Sequence, residues 1–251
     1  MRRFEAEAII LQGIDYGESD RIVTFFTREF GKIRGIAKGA KRSRRRFPNG
    51  LDLAYHLYIT FVEKEGFELG RVEDSKMIHS FDRISQHPDR FMTACYLLEL
   101  TSLSIPDREP HPELFDLLKS SFQELERGDW VPEARDFFEL KTLFYCGYRP
   151  NFEWCGVCQS SLLPTGDRYY SRDKGLVLCE GCSIDLPWVT RLSPETTHVM
   201  QRGLETTLDG LKELLFNEKI KEESRRFLGH ALSLRLTRPI RSQPLLDAFR
   251  R

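Results

Sequence analysis

Four cysteines in two close pairs constrain this chain more than any other feature. The pairs are Cys155-Gly156-Val157-Cys158 and Cys179-Glu180-Gly181-Cys182, which gives the array Cys-x2-Cys-x20-Cys-x2-Cys. Two residues between paired cysteines let both thiolates face one point, and the glycine in each pair permits the turn. The spacing predicts one structural Zn²⁺ held by Cys155, Cys158, Cys179 and Cys182. Because four thiolates leave no open position for a water or substrate, this zinc is predicted to stabilise the fold and not to catalyse a reaction.

A redox dithiol or a disulfide pair is the alternative role for cysteines at this spacing. The chain has six cysteines, and the other two, Cys95 and Cys146, fall within helix-like apolar patterns. We expect both to be small buried side chains outside the metal site, because free cysteine is among the most often buried residue types.

The amino-terminal sequence and the hydropathy argue against export or membrane insertion. Glu5 and Glu7 interrupt the apolar run that a signal peptide would need, and no apolar run approaches the length of a membrane span. We therefore expect a cytoplasmic protein with no membrane partner.

The net charge is zero, with 38 basic and 38 acidic residues, but the charges are segregated along the chain. Residues 32–46 contain eight Lys or Arg and no acidic residue, whereas residues 82–145 contain thirteen acidic and seven basic residues. From Arg225 onward, seven arginines stand against Asp247 alone. A polyanionic partner is therefore expected to bind toward the two ends of the chain and not its middle.

The first eighty residues alternate between β-prone runs and turn signals. Alternation is clearest where Tyr55, Leu57, Ile59 and Phe61 share one face, while Tyr58 and its neighbours take the other. The five predicted strands cover residues 4–12, 21–30, 32–38, 55–65 and 67–81. Five short antiparallel strands in this length match an OB-fold, whose open face and loops bind single-stranded nucleic acid. An SH3-like barrel would give nearly the same pattern.

After residue 81 the hydrophobic period changes to that of helices. Pro112 opens one helix that Gly128 closes, and Ser193 followed by Pro194 is typical of the start of another. We therefore predict an α+β multidomain protein. An OB-fold β-barrel over residues 1–81 is followed by a mostly α-helical domain over residues 82–251, with a four-cysteine zinc insertion at about residues 152–185.

Several short segments occur in a characteristic order. The amino-terminal segments are Glu7-Ala8-Ile9-Ile10-Leu11, Tyr16-Gly17-Glu18-Ser19-Asp20-Arg21-Ile22-Val23-Thr24 and Gly31-Lys32-Ile33-Arg34-Gly35-Ile36-Ala37-Lys38-Gly39-Ala40. Phe138-Glu139-Leu140, Cys146-Gly147-Tyr148-Arg149-Pro150, the two cysteine pairs and Arg238-Pro239-Ile240-Arg241-Ser242 follow. Over nearly the whole chain this resembles the bacterial recombination mediators of the RecO family. Gln159 and Leu176-Val177 depart from the glycine-richer pattern around the cysteines, but neither removes a ligand.

The resemblance implies a DNA repair and recombination mediator with an amino-terminal OB-fold. Members of this family bind single- and double-stranded DNA and anneal complementary strands coated with single-stranded-DNA-binding protein. They act with RecR to help load recombinase, and they make or break no covalent bond. Expected partners are therefore DNA, RecR and the single-stranded-DNA-binding protein.

The basic residues after the second predicted strand are the candidate DNA-binding residues. A cationic loop that joins strands of an OB-fold lies where such folds bind their ligand, and the planar guanidinium of arginine binds phosphate bidentately. The candidates are Arg34, Lys38, Lys41, Arg42, Arg44, Arg45 and Arg46. Phe25, Phe26 and Tyr58 are candidates for base stacking, with burial in the barrel as the competing interpretation.

Nothing in the sequence predicts an enzyme. The six histidines show no metal-ligand pairing, there is no Gly-rich phosphate loop or nucleophile elbow, and the carboxylates of the helical region are expected on solvated helix faces. The alternative function is a zinc-stabilised OB-fold RNA-binding or regulatory protein, because OB-folds and four-cysteine sites also serve RNA.

A protein partner is expected to use the helical region, because its acidic character would repel DNA phosphates. Grooves between amphipathic helices could accept an apolar peptide tail if local cations held the carboxylates of that tail. The candidate cations are Arg127, Arg135, Lys141 and Arg149.

Overall fold

The computed structural model describes residues 1–47, 50–63, 66 and 69–248. In the amino-terminal region they form a closed barrel of five strands in the order β1-β2-β3-β5-β4. The strands are β1 (Arg2–Tyr16), β2 (Asp20–Thr27), β3 (Gly31–Ala37), β4 (His56–Glu63) and β5 (Gly70–His79). β3 and β5 run parallel, the other neighbours run antiparallel, and β4 closes onto β1. This confirms the predicted OB-like barrel. The predicted strand positions 64, 65, 67 and 68 lie outside the described residues.

The barrel core comes from alternate residues of each strand. Leu57, Ile59 and Phe61 are fully buried, whereas Tyr58 on the opposite face is 42% exposed, which confirms the predicted alternation. His56 lies on the same face of β4 as Tyr58 but is buried, because Phe115 of the helix Pro112–Arg127 packs against its ring.

Helices follow the barrel within the same compact unit. They are α1 (Asp82–Ser85), α2 (Pro88–Ser104) and α3 (Pro112–Arg127). Phe115 on α3 contacts the rings of Phe26 and His56, and Arg28 on β2 pairs with Asp116 at 2.9 Å. Gly128 ends α3 in the left-handed conformation, with φ of 87°, as the sequence predicts.

The chain divides into two compact units, Met1–Trp130 with the described part of Ile240–Arg251, and Val131–Pro239. The second unit contains α4 (Ala134–Tyr145), β6 (Arg168–Ser171), β7 (Leu176–Leu178), α5 (Glu180–Ser183), β8 (Val189–Leu192), α6 (Pro194–Glu205), a 3-10 helix (Asp209–Glu213) and α7 (Glu218–Ser233). Its strands form a small sheet in the order β7-β6-β8. The proposed domains, residues 1–81 and 82–251, are divided where strands give way to helices. The two compact units are instead divided after residue 130, because α1, α2 and α3 pack in the same unit as the barrel. Among the described residues, no helix is both long and apolar enough to cross a membrane.

Residues 240–248 belong to the first unit and include α8 (Gln243–Ala248). Ile240 and Leu246 are buried. The carboxylate of Glu99 on α2 accepts hydrogen bonds from the backbone N–H groups of Arg241 and Ser242, at 3.1 and 2.9 Å. The Ile240-Arg241-Ser242 part of the Arg-Pro-Ile-Arg-Ser segment is therefore bonded to α2 within the first unit.

Several carboxylates of the helical region are buried, which corrects the expectation that they lie on solvated faces. Glu124, Asp136 and Glu139 are each at most 6% exposed. Their partners are Arg127 at 2.5 Å from Glu124, Arg225 at 3.6 Å from Asp136 and Arg135 at 2.8 Å from Glu139. A nearby cation offsets the cost of burying a charge, and hydrophobic periodicity does not register such pairs.

Two glycines let the barrel close around Phe61. Gly35 and Gly70 are register partners in the parallel β3–β5 pair, and a Cβ atom on either would overlap the Phe61 ring. We expect Gly70→Ala to lower the free energy of unfolding by about 1–3 kcal/mol, the usual cost of overpacking a core. Chemical denaturation of the full chain measures this change.

Gly229→Ala is the matched control for that substitution. Gly229 is exposed on α7, and an added Cβ would have nothing within 4 Å. This variant is expected to be more stable by up to about 1 kcal/mol, because alanine favours helices. Equal stability of Gly70→Ala and the unmodified protein would contradict the packing argument.

Candidate metal centre and candidate nucleic-acid interface

The four paired cysteines converge on one point in the second unit. Cys155 and Cys158 precede β6, Cys179 follows β7 and Cys182 lies in α5. Their Sγ atoms all lie within 4.8 Å of one another, and those of Cys158 and Cys179 are 3.7 Å apart. Sulfurs in a tetrahedral zinc site with bonds of about 2.3 Å are roughly 3.8 Å apart. The four side chains are therefore close enough to bind one metal ion.

The backbone beside the first pair is shaped by its neighbours. The Gly156 N–H donates to the Val177 carbonyl at 2.8 Å, and a Cβ on Gly156 would stand 2.8 Å from the Cβ of Leu176. Gln159 is left-handed, with φ of 59°, at the position where the family often has glycine. Gln159 therefore takes a backbone conformation that favours glycine, and a side chain at residue 156 would force Leu176 to move.

The thiols of this cluster differ in how readily they ionise. Burial opposes ionisation of Cys155, but backbone N–H groups, first that of Cys179 and then that of Cys158, lower the pKa of Cys155 to about 6. The Ser160 hydroxyl, 3.0 Å from the Cys158 sulfur, lowers the pKa of Cys158. The side chains of Cys179 and Cys158 raise the pKa of Cys182 to about 12. Four thiolates this close together would repel one another without a cation at their centre, so the donor set fits a divalent metal.

The other two cysteines lie outside this cluster. Cys95 is on α2 and Cys146 follows α4, and both are half-buried, so the expectation of full burial is wrong. Burial raises the pKa of the Cys95 thiol, which keeps it protonated and unreactive.

The candidate DNA-binding residues lie on β3 and in residues 38–46, the segment that we call the basic loop. Most of them are exposed, namely Arg34, Lys38, Lys41, Arg42, Arg44 and Arg45. Arg46 is half-buried. Six of the seven candidates therefore lie in the basic loop, and Arg34 lies within the barrel on β3.

The turn between β1 and β2 fastens the start of the basic loop. The Asp20 carboxylate accepts the Gly39 N–H at 2.8 Å, and the Lys41 N–H donates to the Ser19 carbonyl at 3.0 Å. The hydrogen bond from Gly39 lowers the pKa of the Asp20 carboxyl group. The Gly-Glu-Ser-Asp segment therefore positions the basic loop.

Contacts with the barrel hold the end of the loop. Phe47 and Leu51 are fully buried in the barrel core. Arg21 on β2 donates to the Gly50 carbonyl at 2.7 Å, and the Arg46 carbonyl accepts the Ser75 N–H at 2.9 Å. The loop is therefore anchored at both ends while its cations face solvent.

The cations of this segment fall into three groups. Lys41 pairs with Asp15 at 2.7 Å, and Arg42 with Glu18 at 3.4 Å. The Arg46 guanidinium turns back to the Lys38 carbonyl at 3.0 Å. Within the described part of the chain, no ion pair involves the remaining candidates, which are Arg34, Lys38, Arg44 and Arg45. These four cations are the ones available to phosphates.

The aromatic candidates separate clearly by burial. Phe25 lies in the barrel core and Phe26 under α3, and both are fully buried, so neither can stack on a base. Tyr58 is 42% exposed on β4. The sequence analysis missed Tyr16, which is 56% exposed at the end of β1, beside the turn that fastens the basic loop. Because Tyr16 immediately precedes Gly17, the sequence indicates that it lies at a turn, where an aromatic side chain can be exposed.

Three of the carboxyl-terminal arginines already have partners within the second unit. Arg225 and Arg226 pair with Asp136 and Glu222, and Arg235 stacks on an aromatic ring. Arg250 and Arg251 lie outside the described residues.

One of the candidate cations for a peptide tail is not on the surface. Lys141 is 5% exposed, its Nζ donates to the Leu204 carbonyl at 2.6 Å, and burial lowers its pKa. Its predicted role in holding an acidic tail is therefore wrong.

Comparison with known proteins identifies the family. The family models "Recombination protein O N terminal" and "Recombination protein O C terminal" match residues 1–81 and 85–244. The DNA repair protein RecO of Geobacter metallireducens is 35% identical over 246 residues, 98% of each chain. That of Syntrophus aciditrophicus is 31% identical over 249 residues, 98% of this chain and 96% of the relative. The chain belongs to the RecO family, which supports a role in DNA repair and recombination.

Proposed function

We propose that this protein is a recombination mediator that binds single- and double-stranded DNA and anneals complementary strands. In this role it acts on DNA coated with single-stranded-DNA-binding protein and works with RecR to help load recombinase. It performs no covalent chemistry. The observation that carries the proposal is the anchored basic loop, in which Lys38, Arg44 and Arg45 have no ion pair among the described residues, and Arg34 on β3 has none either.

Unpaired cations on a fixed loop suit a partner with regularly spaced charges. Each lysine or arginine that neutralises a phosphate releases condensed counterions, a gain that does not depend on base sequence. Because the loop is anchored at Asp20 and at Phe47, little conformational entropy is lost when it binds. Cations that serve two backbones at once would reduce the repulsion between strands that must pair.

The four-cysteine cluster is proposed to hold one structural zinc. Cys155, Cys158, Cys179 and Cys182 would be the ligands, and the ion would supply neutralisation of the four thiolates. The chain between the two pairs contains β6 and β7, so closure of the cluster fixes this small sheet.

We place the tail of the single-stranded-DNA-binding protein in an apolar groove between α4, α6 and α7. The groove is lined by Asp136, Phe137, Leu140, Val199, Met200, Gly203, Leu211, Leu214, Phe216, Ser224 and Leu228. It encloses about 20 Å³, room for little more than one water, so the helices must part to accept an apolar peptide end. We expect Val199→Glu to weaken the binding of an acidic tail peptide at least several-fold, because the new carboxylate repels it. His198→Glu, which changes an exposed residue of the same helix, is the control in a fluorescence polarisation titration.

Asp20→Ala tests whether the position of the basic loop matters. The substitution removes a negative charge near the loop, so electrostatics alone predicts tighter DNA binding. We expect weaker binding instead, because the Gly39 N–H loses its acceptor and the loop is released. Titration of labelled single-stranded DNA decides the sign. Tighter binding by this variant would mean that the loop needs no anchor.

An annealing assay tests the function as a whole. Complementary DNA strands coated with single-stranded-DNA-binding protein are mixed with the full chain, and binding to RNA of the same sequence is measured in parallel. We expect annealing of the coated strands. Binding without annealing would leave a passive DNA binder, and a preference for RNA would favour the alternative, a zinc-stabilised RNA-binding or regulatory protein.

A further inference from the structure

A cavity of about 360 Å³ lies in the second unit, beside the first cysteine pair. Its size falls within the range of about 300–1,000 Å³ that small-molecule sites occupy. Apolar side chains of α4, β7 and α7 contribute to its wall, namely Leu143, Val177, Phe227 and Ala231. The loop between α4 and Cys155 supplies most of the polar and aromatic lining.

Two arginines of the cavity have no carboxylate partner. Arg235 stacks on the Tyr148 ring, with its guanidinium carbon 4.2 Å from the ring centre, and Arg149 lies 5.3 Å from the centre of Phe144. In the described part of the chain, neither makes an ion pair. Guanidinium groups that are held by aromatic stacking and lack a counterion are available to an anion, which they bind bidentately when it is a phosphate or carboxylate.

Two flat aromatic side chains of the same cavity are unusually exposed. Tyr148 is 44% and Trp154 is 47% exposed, although both line the cavity. The side-chain Oδ1 of Asn151 accepts the Glu153 and Trp154 backbone N–H groups at 2.9 and 3.1 Å, which fixes the turn that carries the indole. Exposed, positioned rings next to unpaired arginines are the combination that single-stranded nucleic acids use.

We infer that this cavity binds one unpaired nucleotide of single-stranded DNA. The base stacks on Tyr148 or Trp154, and its phosphate pairs with Arg149 and Arg235. This is a second DNA contact, on a different compact unit from the basic loop, and only its choice of ligand rests on the proposed function. A nucleotide is favoured over an acidic peptide because a single compartment of this size suits one base with its phosphate, whereas a peptide tail needs an extended groove.

The experiment uses the full chain in the Arg44→Ala, Arg45→Ala background, where the basic loop contributes least. Residual binding of a labelled oligothymidylate is measured at several salt concentrations. Tyr148→Ala is expected to weaken residual binding by roughly 5- to 150-fold, the range for loss of one stacked base, and to lower the salt slope by no more than about 0.7, because Arg235 loses the ring on which it stacks. Arg149→Ala is expected to reduce the slope by about 0.7, the contribution of one phosphate on a single strand. Tyr148→Phe should retain binding, which separates stacking from loss of fold.

Arg172→Ala is the matched control, because Arg172 is an exposed arginine of the same unit that does not line the cavity. If Tyr148→Ala and Arg149→Ala both behave like Arg172→Ala while the unmodified protein binds DNA, the inference is wrong and the proposed function stands. If the unmodified protein binds no single-stranded DNA, both are wrong. If Tyr148→Ala releases a bound acidic peptide but leaves the affinity for DNA unchanged, the cavity binds a peptide and the inference is wrong.

Discussion

Cys179→Ser is expected to abolish binding of the proposed zinc and to unfold much of the second unit. The substitution removes one of four converging sulfurs and leaves three thiolates that repel one another. In zinc-finger peptides the apparent free energy of zinc binding is about 10–16 kcal/mol and appears as folding free energy. The second unit has helices of its own, so only part of that loss is expected here, on the order of several kcal/mol. Elemental analysis and thermal denaturation of the full chain measure the two effects.

Cys95→Ser is the control for Cys179→Ser, since it makes the same chemical change at a half-buried position outside the cluster. It should retain one equivalent of zinc. If protein prepared with excess metal contains no zinc, the proposed metal site is wrong. A native disulfide between Cys155 and Cys158 would remove it equally, because a bonded pair cannot supply two thiolates.

Replacing Arg44 and Arg45 together by alanine is expected to weaken DNA binding and to make it less sensitive to salt. Both side chains are exposed, and neither has an ion pair within the described ranges. Each neutralised phosphate contributes about 0.7 to the slope of log affinity against log salt on single strands, so the double variant should lose about 1.4. Titrations at several salt concentrations give the slope directly.

Lys41→Ala with Arg42→Ala is the matched control for that pair. It removes the same number of charges from the same loop, but these two cations already pair with Asp15 and Glu18. Its slope should therefore change less. An unchanged slope in the Arg44, Arg45 variant would mean that the DNA site is not on the basic loop.

Arg46→Ala should weaken DNA binding by loosening the loop backbone, since the Arg46 guanidinium donates a hydrogen bond to the Lys38 carbonyl.

Local signals predict much of the fold and of the candidate metal centre. The alternation at Leu57, Ile59 and Phe61 gives the core face of β4, and Gly128 ends its helix as expected. The two cysteine pairs are drawn together as their spacing indicates. Each of these features depends on residues close in sequence, or on a ligand set that has one favourable geometry.

Pairing of charged side chains with particular acceptors, one turn or many residues away, accounts for what the sequence did not predict. The burial of Glu139 depends on Arg135 one turn away, and that of Lys141 on a carbonyl acceptor 63 residues later. Arg46 belongs to a basic run, but in the structure it serves the loop backbone. From the sequence alone, a charged residue can be either exposed to solvent or buried against a partner. Only the folded structure shows which of the two it is.

The return of residues 240–248 to α2 has a consequence for the order of synthesis. The acceptor, Glu99, leaves the ribosome about 140 residues before the backbone groups of Arg241 and Ser242 that it binds. At about 5–20 residues per second, the first unit waits roughly 7–30 s for its last helix, while the entire second unit is being made. During that interval the α2 surface that later receives α8 is open, so a nascent chain stalled before residue 240 should be a better chaperone client than the released protein.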